Sequence, residues 1–171
     1  SQAARGFVNL RFVNHDATFY GVNVSGQMPL ASSPMYGKFG LSGVAGWVYG
    51  ENADTGANLY HMMPLHSRLA LTHKLGGWSS RLELDLYAGK HNVDPVRNEL
   101  QTAGYALVNL RTSYEWSHVR FDLGVENLFD KYYEAPLGGT YIYPILDSNV
   151  GPKGNVPGMG RSLNAGVTVK F

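Results

Sequence analysis

Apolar and polar residues alternate along most of this chain with a period of two, which is typical of β-strands whose two faces meet different surroundings. The stretch VRFDLGVE at residues 119–126 is apolar at every second position, and the final stretch SLNAGVTVKF alternates in the same way up to Phe171. Four more stretches follow the pattern: KFGLSGVAGWVYG, RLALTHKL, RLELDLYA and ALVNLRTSYEW. Because no stretch shows a convincing helical period, the pattern predicts an all-β chain of antiparallel strands.

The number of strands depends on the first alternating stretch, FVNLRFVNHDATFYGVNVSGQM at residues 7–28. This stretch is either one very long strand or a hairpin that turns at Asn14, His15 and Asp16. The sequence therefore predicts seven or eight strands.

Short and long connections alternate along the chain. Gly76-Gly77 and Ser117-His118 are predicted to be tight hairpin turns, and residues 29–34 a third short link. The connections at residues 50–63, 90–103 and 131–160 are long and polar. In an up-and-down sheet this order places every short turn at one end and every long loop at the other, as in an outer-membrane β-barrel.

Aromatic residues gather at both ends of the predicted strands. Three lie at the short-turn end, namely Trp78, Trp116 and Phe171. Five lie near the long-loop end, namely Trp47, Tyr49, Tyr87, Tyr132 and Tyr133. Two aromatic rows around an apolar band are expected at the two interfaces of a membrane. The alternative is a soluble β-sandwich whose aromatic residues cap its core, but a sandwich has no need to segregate its loops by length.

Charged residues occupy the polar faces of the predicted strands. In a membrane barrel these faces line a hydrated interior, where charges of both signs can pair. The residues concerned are Arg81, Glu83, Asp85, Arg111, Glu115, Arg120, Asp122 and Glu126.

Composition narrows the classes of protein further. The 14 Lys and Arg residues balance 13 Asp and Glu residues, so no basic field exists to recruit nucleic acid. The absence of cysteine excludes disulfides and cysteine-based zinc sites. No stretch approaches the roughly 18 apolar residues of a membrane helix. The start SQAARG lacks the pattern of a secretory signal, so the chain is expected to be soluble, already processed or a piece of something longer.

The stretch GVENLFDKYY at residues 124–133 closely resembles the penultimate strand of TonB-dependent outer-membrane receptors. FVNHDATFYGVNVSG is similar to a long strand of that family, and Thr102-Ala103-Gly104-Tyr105 to the start of its third-last strand. Gly160-Arg161, followed by the alternating stretch that ends in Phe171, resembles the family's terminus. These matches follow the family's order over nearly the whole chain.

The resemblance implies a barrel of about 22 strands in the bacterial outer membrane, of which residues 1–171 form the C-terminal third. It favours seven strands here, with residues 7–28 as a single strand. The plug domain and the TonB box of the family are expected to lie outside this chain. The implied partners are the rest of the barrel, the plug, the TonB complex, outer-membrane lipid and lipopolysaccharide, and the barrel-assembly machinery that reads the C-terminal strand.

The resemblance also implies a structural role for the residues around the strand exit. Asn127 and Asp130 have short polar side chains that can hydrogen-bond to local backbone where β-structure leaves the barrel. The predicted structural set is Asn127, Leu128, Phe129, Asp130, Gly160, Arg161 and Phe171.

No nucleophile–base pattern, phosphate loop or paired-carboxylate motif indicates an enzyme. The local cluster with ligand chemistry is HMMPLH at residues 61–66. Imidazole and thioether ligands together favour copper, especially Cu(I), and a methionine from another loop can join them. The predicted metal ligands are His61, Met62, Met63, His66 and Met159. In the alternative, the methionines pack under their loop and the histidines are solvated.

Tyr141 and Tyr143 are predicted to face a ligand, where they would stack on a metal chelate or hydrogen-bond to it; the alternative is that they only stabilise their loop. The resemblance, together with these candidate ligands, implies TonB-dependent uptake of a metal ion or metal chelate, either siderophore-like or copper. No cofactor is required, because the metal would be the substrate. The alternative is a complete eight-stranded barrel with an adhesive or structural role, which takes the hairpin at His15.

Overall fold

The computed structural model describes residues 14–142 and 153–171, and within them the chain is almost entirely β-structure. A short 3-10 turn at Pro95–Arg97 interrupts one of the long connections. The strands are β1 (Ala17–Ser33), β2 (Gly37–Asn52), β3 (His66–Leu75), β4 (Trp78–Tyr87), β5 (Tyr105–Trp116), β6 (Val119–Glu126), β7 (Thr140–Ile142), β8 (Lys153–Asn155) and β9 (Ser162–Val169). The all-β prediction is confirmed.

Seven strands form one antiparallel sheet in the order β1-β2-β3-β4-β5-β6-β9. Each strand pairs with the next one along the chain up to β6, which pairs with β9. Strands β7 and β8 form a separate two-stranded hairpin inside the last long connection. The up-and-down order matches the prediction, whereas the alternating pattern gives no sign of the β7–β8 hairpin.

The register of the sheet brings one apolar residue from each strand into a single row across the middle of one face. Because side chains alternate between faces, this register puts all the alternating apolar positions on the same side. The row consists of Met28, Leu41, Leu71, Leu82, Leu110, Val125 and Leu163.

The opposite face carries paired charges. Arg68 pairs with Asp85 on the neighbouring strand, and Asp85 also accepts a hydrogen bond of 2.9 Å from Asn109 Nδ2. Two further ion pairs on this face join Arg81 to Glu83 and Arg120 to Asp122. The polar residues therefore satisfy one another on the face that the sequence predicts to line a barrel interior.

Burial in this sheet is the reverse of burial in a soluble protein. Among the described residues, Ala70 is the only buried hydrophobic one. The buried polar and charged residues are Glu83, Asp85, Lys90, Thr102, Asn109 and Asn127. A β-sandwich needs a hydrophobic core between two sheets, so the described residues give no support to the sandwich alternative. Within residues 14–142 and 153–171, no helix is long and apolar enough to cross a membrane.

Two of the predicted short turns are confirmed and the third is shifted. The first residues of the two tight turns, Gly76 and Ser117, have positive φ angles of 55° and 53°. The predicted link at residues 29–34 is wrong, because β1 continues to Ser33 and the turn occupies residues 34–36. A β-bulge between Pro29 and Ala31 lets the strand pass its proline, since a bulge is one of the places where a strand tolerates proline.

The aromatic rows are also partly corrected. Tyr20, Trp47 and Tyr49 cluster on the apolar face at the long-loop end, with ring centroids 5.1 to 6.5 Å apart. Tyr87, however, shares the polar face with Asp85, because both occupy odd-numbered positions of β4. Its ring stacks at 4.8 Å on Tyr105, whose ring in turn lies 4.6 Å from Tyr133. The assignment of Tyr87 and Tyr133 to an interfacial row is therefore wrong.

Both edges of the sheet, β1 and β9, lack a neighbouring strand among the described residues. The predicted hairpin at residues 14–16 falls at the margin of the described part, since residues 1–13 lie outside it. His15 and Asp16 contact the loop after β2, through Asp54 Oδ2 at 2.8 Å and the backbone N–H of Ala53 at 2.8 Å. The choice between seven and eight strands in the whole chain stays a prediction.

The apolar face is expected to contact lipid. The variant Leu82→Arg tests this directly, because it places a charge in the middle of the apolar row. Such a charge is expected to cost about 2–4 kcal/mol of folding free energy near the bilayer centre. Ser113→Arg is the matched control, because Ser113 faces the polar side opposite Asp122. The measurement is denaturant unfolding of the barrel in phospholipid vesicles. Equal losses in the two variants would contradict the assignment of the faces.

Candidate functional site

Three long loops gather at one end of the seven-stranded sheet. The first loop (residues 53–65) joins β2 to β3, and the second loop (residues 88–104) joins β4 to β5. The third loop (residues 127–161) joins β6 to β9 and contains β7 and β8. Loops at one end of a rigid scaffold are where binding residues concentrate, so this end is the candidate functional site.

A buried ion pair between Lys90 and Glu99 holds the three loops together. Their side chains are only 2% and 6% exposed. Glu99 Oε1 accepts hydrogen bonds from Lys90 Nζ and from the His61 backbone N–H at 3.0 Å, which ties the second loop to the first. Lys90 Nζ also donates to the carbonyl oxygen of Pro136 at 3.3 Å, which adds the third loop.

The second loop is itself shaped around Glu99. Glu99 Oε2 accepts a hydrogen bond of 2.8 Å from the backbone N–H of Asp94. Asp94 caps the 3-10 turn by accepting a 2.9 Å hydrogen bond from Val96 N–H, and the turn ends at Asn98 in a left-handed conformation. A further tie runs from Asn155 Nδ2 to the carbonyl oxygen of Gln101 at 3.0 Å. The loops are thus bonded to one another by side chains as well as by backbone.

The environment of Glu99 shifts its pKa. Burial alone would raise the pKa of this carboxyl group, because it disfavours the charged form. The hydrogen bonds from Lys90 and from the amides of Asp94 and His61 outweigh burial, and the pKa is lowered below its ordinary value. Glu99 is therefore held as a carboxylate at neutral pH.

Two cavities lie on either side of this ion pair. The first cavity, of about 190 Å³, is lined by Glu99 together with Tyr60, His61 and Arg97. The Tyr60 and His61 rings stack at 3.9 Å, and the Arg97 guanidinium lies 5.3 Å from the centre of the Tyr60 ring. This cavity joins aromatic, imidazole and guanidinium groups from the first and second loops.

The second cavity, of about 260 Å³, is lined by Lys90 together with Met62, Met63, His91 and Trp47. It exists because the β2–β3 pairing stops at Gly46 and His66, while β2 runs on to Asn52. The first and second loops fill the space beside the part of β2 that extends past β3 only in part.

The structure does not bring the predicted metal ligands together. His61 lines the first cavity, whereas Met62 and Met63 line the second. His66 opens β3, and its Nδ1 lies 3.0 Å from the carbonyl oxygen of Pro64. Met159 is an exposed residue of the third loop. Among the described residues, no group of three or more His, Asp or Glu side chains is arranged to hold a metal ion.

The predicted ligand-facing tyrosines are placed only in part. Tyr141 lies in β7, close enough to its partner strand that a Cβ atom on Gly154 would lie 2.6 Å from the Tyr141 hydroxyl oxygen. Tyr143 lies outside the described residues. Their role toward a ligand stays a prediction.

The predicted structural residues surround the exit of β6. Asn127 has a left-handed backbone (φ 50°), and its side chain bonds to Lys131 N–H and carbonyl oxygen at 2.8 and 2.9 Å. Its Nδ2 also donates to the carbonyl oxygen of Met159 at 3.1 Å. Asp130 Oδ1 accepts a 2.8 Å hydrogen bond from Arg161 N–H, next to the start of β9. These contacts join the two ends of the third loop.

The other members of the structural set either contact the sheet or are exposed. Leu128 N–H donates to the carbonyl oxygen of Val108 at 2.8 Å and so extends the β5–β6 pairing. A Cβ atom on Gly160 would lie 2.9 Å from Asp130 Oδ1, which favours glycine there. Phe129 and Phe171 are both exposed large hydrophobic residues, as expected for side chains at a membrane interface. The structural role of the set stays a prediction.

Sequence reasoning missed three of the residues that shape this site, namely Lys90, His91 and Glu99. All three lie in a loop without periodicity, where a pattern of apolar positions carries no information. The PVR turn between an aspartate cap and Asn98 is the local signal that the second loop is ordered.

The comparisons with known proteins agree with this architecture. The model of the family described as "TonB dependent receptor-like, beta-barrel" matches residues 2–128. No curated protein sequence matches the chain. Among solved structures, the copper transporter OprC is similar in fold, with a TM-score of 0.79 and 24% sequence identity. The match covers 92% of this chain but only 25% of that transporter.

Loss of one partner of the buried ion pair is expected to loosen all three loops. Lys90→Met leaves the Glu99 carboxylate buried without its cation, which typically costs about 3–5 kcal/mol. Arg97→Met is the matched control, because the Arg97 side chain is 67% exposed and lies 3.8 Å from Asp94, so its loss should cost less than about 1 kcal/mol. Hydrogen exchange at the His61 and Asp94 amides measures the opening. Similar exchange in both variants would show that the buried pair does not hold the loops.

The lowered pKa of Glu99 gives this opening a pH dependence. A carboxylate whose pKa is lower in the folded state contributes stability above its unfolded pKa. That contribution is lost as pH falls through the folded pKa, below the ordinary range of glutamate. Protection of the His61 amide, corrected for intrinsic exchange, should therefore persist at neutral pH and fall in acid. Glu99→Gln should remove this transition, and an unchanged transition would assign it to another group.

Proposed function

Because the chain belongs to the family of TonB-dependent receptor-like β-barrels, we propose that it is part of the barrel of an outer-membrane receptor for a metal ion or metal chelate. The observation that carries the proposal is the family match over residues 2–128, which includes β1 to β6. The family consists of receptors, and no enzymatic activity is proposed.

We place residues 1–171 in the C-terminal part of a longer barrel of about 22 strands. Among the described residues neither β1 nor β9 has a neighbouring strand on its outer edge, which supports this placement, because unpaired backbone groups are not tolerated in lipid. The likeness to a quarter of a longer transporter points in the same direction. An eight-stranded barrel of adhesive or structural function has no comparable support.

The proposed partners follow from this placement. The missing strands and a plug domain complete the receptor, and the TonB complex supplies energy through the plug. The terminal strand, with its exposed Phe171, is proposed to engage the barrel-assembly machinery. The apolar face is proposed to contact outer-membrane lipid and lipopolysaccharide.

The proposed cargo is copper or an iron chelate of the siderophore type. Copper is supported by the thioether and imidazole side chains of the first loop and by the name of the similar transporter. An iron chelate is supported by the aromatic and guanidinium groups of the first cavity, which suit planar anionic groups. No resident cofactor is needed in either case.

Deletion of the gene that encodes this chain tests the proposal. Cells without it should take up less copper, or less of one iron chelate, than their parent, and the loss should be matched by deletion of TonB. Restoring the intact gene should restore uptake. Uptake that is unchanged for every metal and chelate tested, or that persists without TonB, would contradict the proposed function.

A further inference from the structure

The second cavity contains a set of metal ligands that differs from the one predicted by sequence. Met62, Met63 and His91 line the same space, and their side chains are of the thioether and imidazole types. We infer that this cavity captures a soft monovalent metal ion, Cu(I), at the rim of the barrel. The inference rests on the proposed function in metal uptake and names the residues that would bind the metal first.

The backbone explains why these side chains share a cavity while His61 does not. His61 has a left-handed backbone with φ 61°, which turns the chain between His61 and Met62. His61 is thereby turned toward Tyr60 and Glu99, and the two methionines line the cavity beside the part of β2 that extends past β3. Neighbours in the sequence therefore belong to different cavities.

His91 reaches the same cavity from the second loop. Its ring folds back over Gly89, where a Cβ atom would lie 3.0 Å from His91 Nε2. An imidazole nitrogen is a common metal ligand, and in His66, by contrast, Nδ1 lies 3.0 Å from the carbonyl oxygen of Pro64.

The charge of the cavity suits a monovalent ion. The two thioether side chains carry no charge, and no carboxylate is among the residues that line the cavity. Hard divalent ions such as Mg²⁺ and Ca²⁺ require oxygen ligands and are disfavoured here. Thioether and imidazole groups are the ligands preferred by Cu(I), which needs less compensating negative charge than Zn²⁺. Lys90 also lines the cavity, but its charge is neutralised by Glu99.

The cavity is also supported by packing around the methionines. A Cβ atom on Gly50 would lie 2.8 Å from Met62 Sδ, so the glycine leaves the space that the sulfur occupies. The Pro64 ring restricts the chain just after Met63, and Pro64 also lines the cavity. The Met62 sulfur is therefore positioned by the fold, which lowers the cost of ordering it around an ion.

The test measures Cu(I) binding to the intact receptor in outer-membrane vesicles, with ascorbate as reductant and with Ag(I) as a redox-inert probe. Met62→Leu, Met63→Leu and His91→Gln should each weaken binding by about tenfold or more, since even the loss of an outer-shell partner costs about 10–100-fold. Leucine keeps the volume of methionine, and heat-modifiable migration shows that each variant is folded.

Met35→Leu and His118→Gln are the matched controls, because they lie in short turns at the opposite end of the strands. They should leave binding unchanged. Unaltered binding in all three cavity variants would overturn the inference, as would a loss caused by His61→Gln but not by His91→Gln. Either result leaves the proposed function standing if TonB-dependent uptake persists, whereas absence of any metal or chelate uptake overturns the proposed function itself.

Discussion

The arrangement of the long-loop end depends on one interaction, the buried ion pair between Lys90 and Glu99. A buried pair of charges is costly unless its remaining hydrogen-bonding capacity is used. Here Glu99 accepts two backbone N–H groups from different loops, and Lys90 donates to the carbonyl oxygen of Pro136. The hydrogen bonds that the two charges lose to water on burial are thus replaced by hydrogen bonds to groups of three loops. Because Glu99 lines one cavity and Lys90 the other, the pair also separates the two cavities.

The seven-stranded sheet is stabilised differently, because the described residues form no hydrophobic core. Its apolar side chains form a row that remains exposed on one face, and its buried groups are polar. Asp85 receives both Arg68 and Asn109, and Asn109 Oδ1 accepts the 2.9 Å hydrogen bond from Asn127 N–H. This chain of contacts runs across β3, β4, β5 and the exit of β6. Polar satisfaction on one face, with the proposed lipid contact on the other, replaces the packing that stabilises a soluble domain.

Most of the sheet could be predicted from the sequence because each strand has one apolar and one polar face, a pattern that depends only on neighbouring residues. One error concerns the alternation itself: Tyr87 lies near a loop like an interfacial aromatic residue, but its odd-numbered position in β4, shared with Asp85, places it on the polar face, where it stacks on Tyr105. The other errors arise where distant residues decide. The strand passes Pro29 because a bulge accommodates it. The pairing of Lys90 with Glu99 has no local signature, since it depends on a loop that folds back on itself.

The candidate metal ligands also show that distant residues decide which side chains come together. A cluster such as HMMPLH suggests a common site only if its side chains point the same way, and a single left-handed residue is enough to divide it. His91 lies far from the cluster in sequence, yet it joins Met62 and Met63 because Lys90, its neighbour, anchors the second loop beside the first. The ion pair that holds the loops thus also determines which ligands share a cavity. Metal capture and loop order should therefore be linked energetically. Loss of the contact between Lys90 and Glu99 would loosen the second cavity. It would also leave the Lys90 charge uncompensated, and this charge would repel an incoming cation.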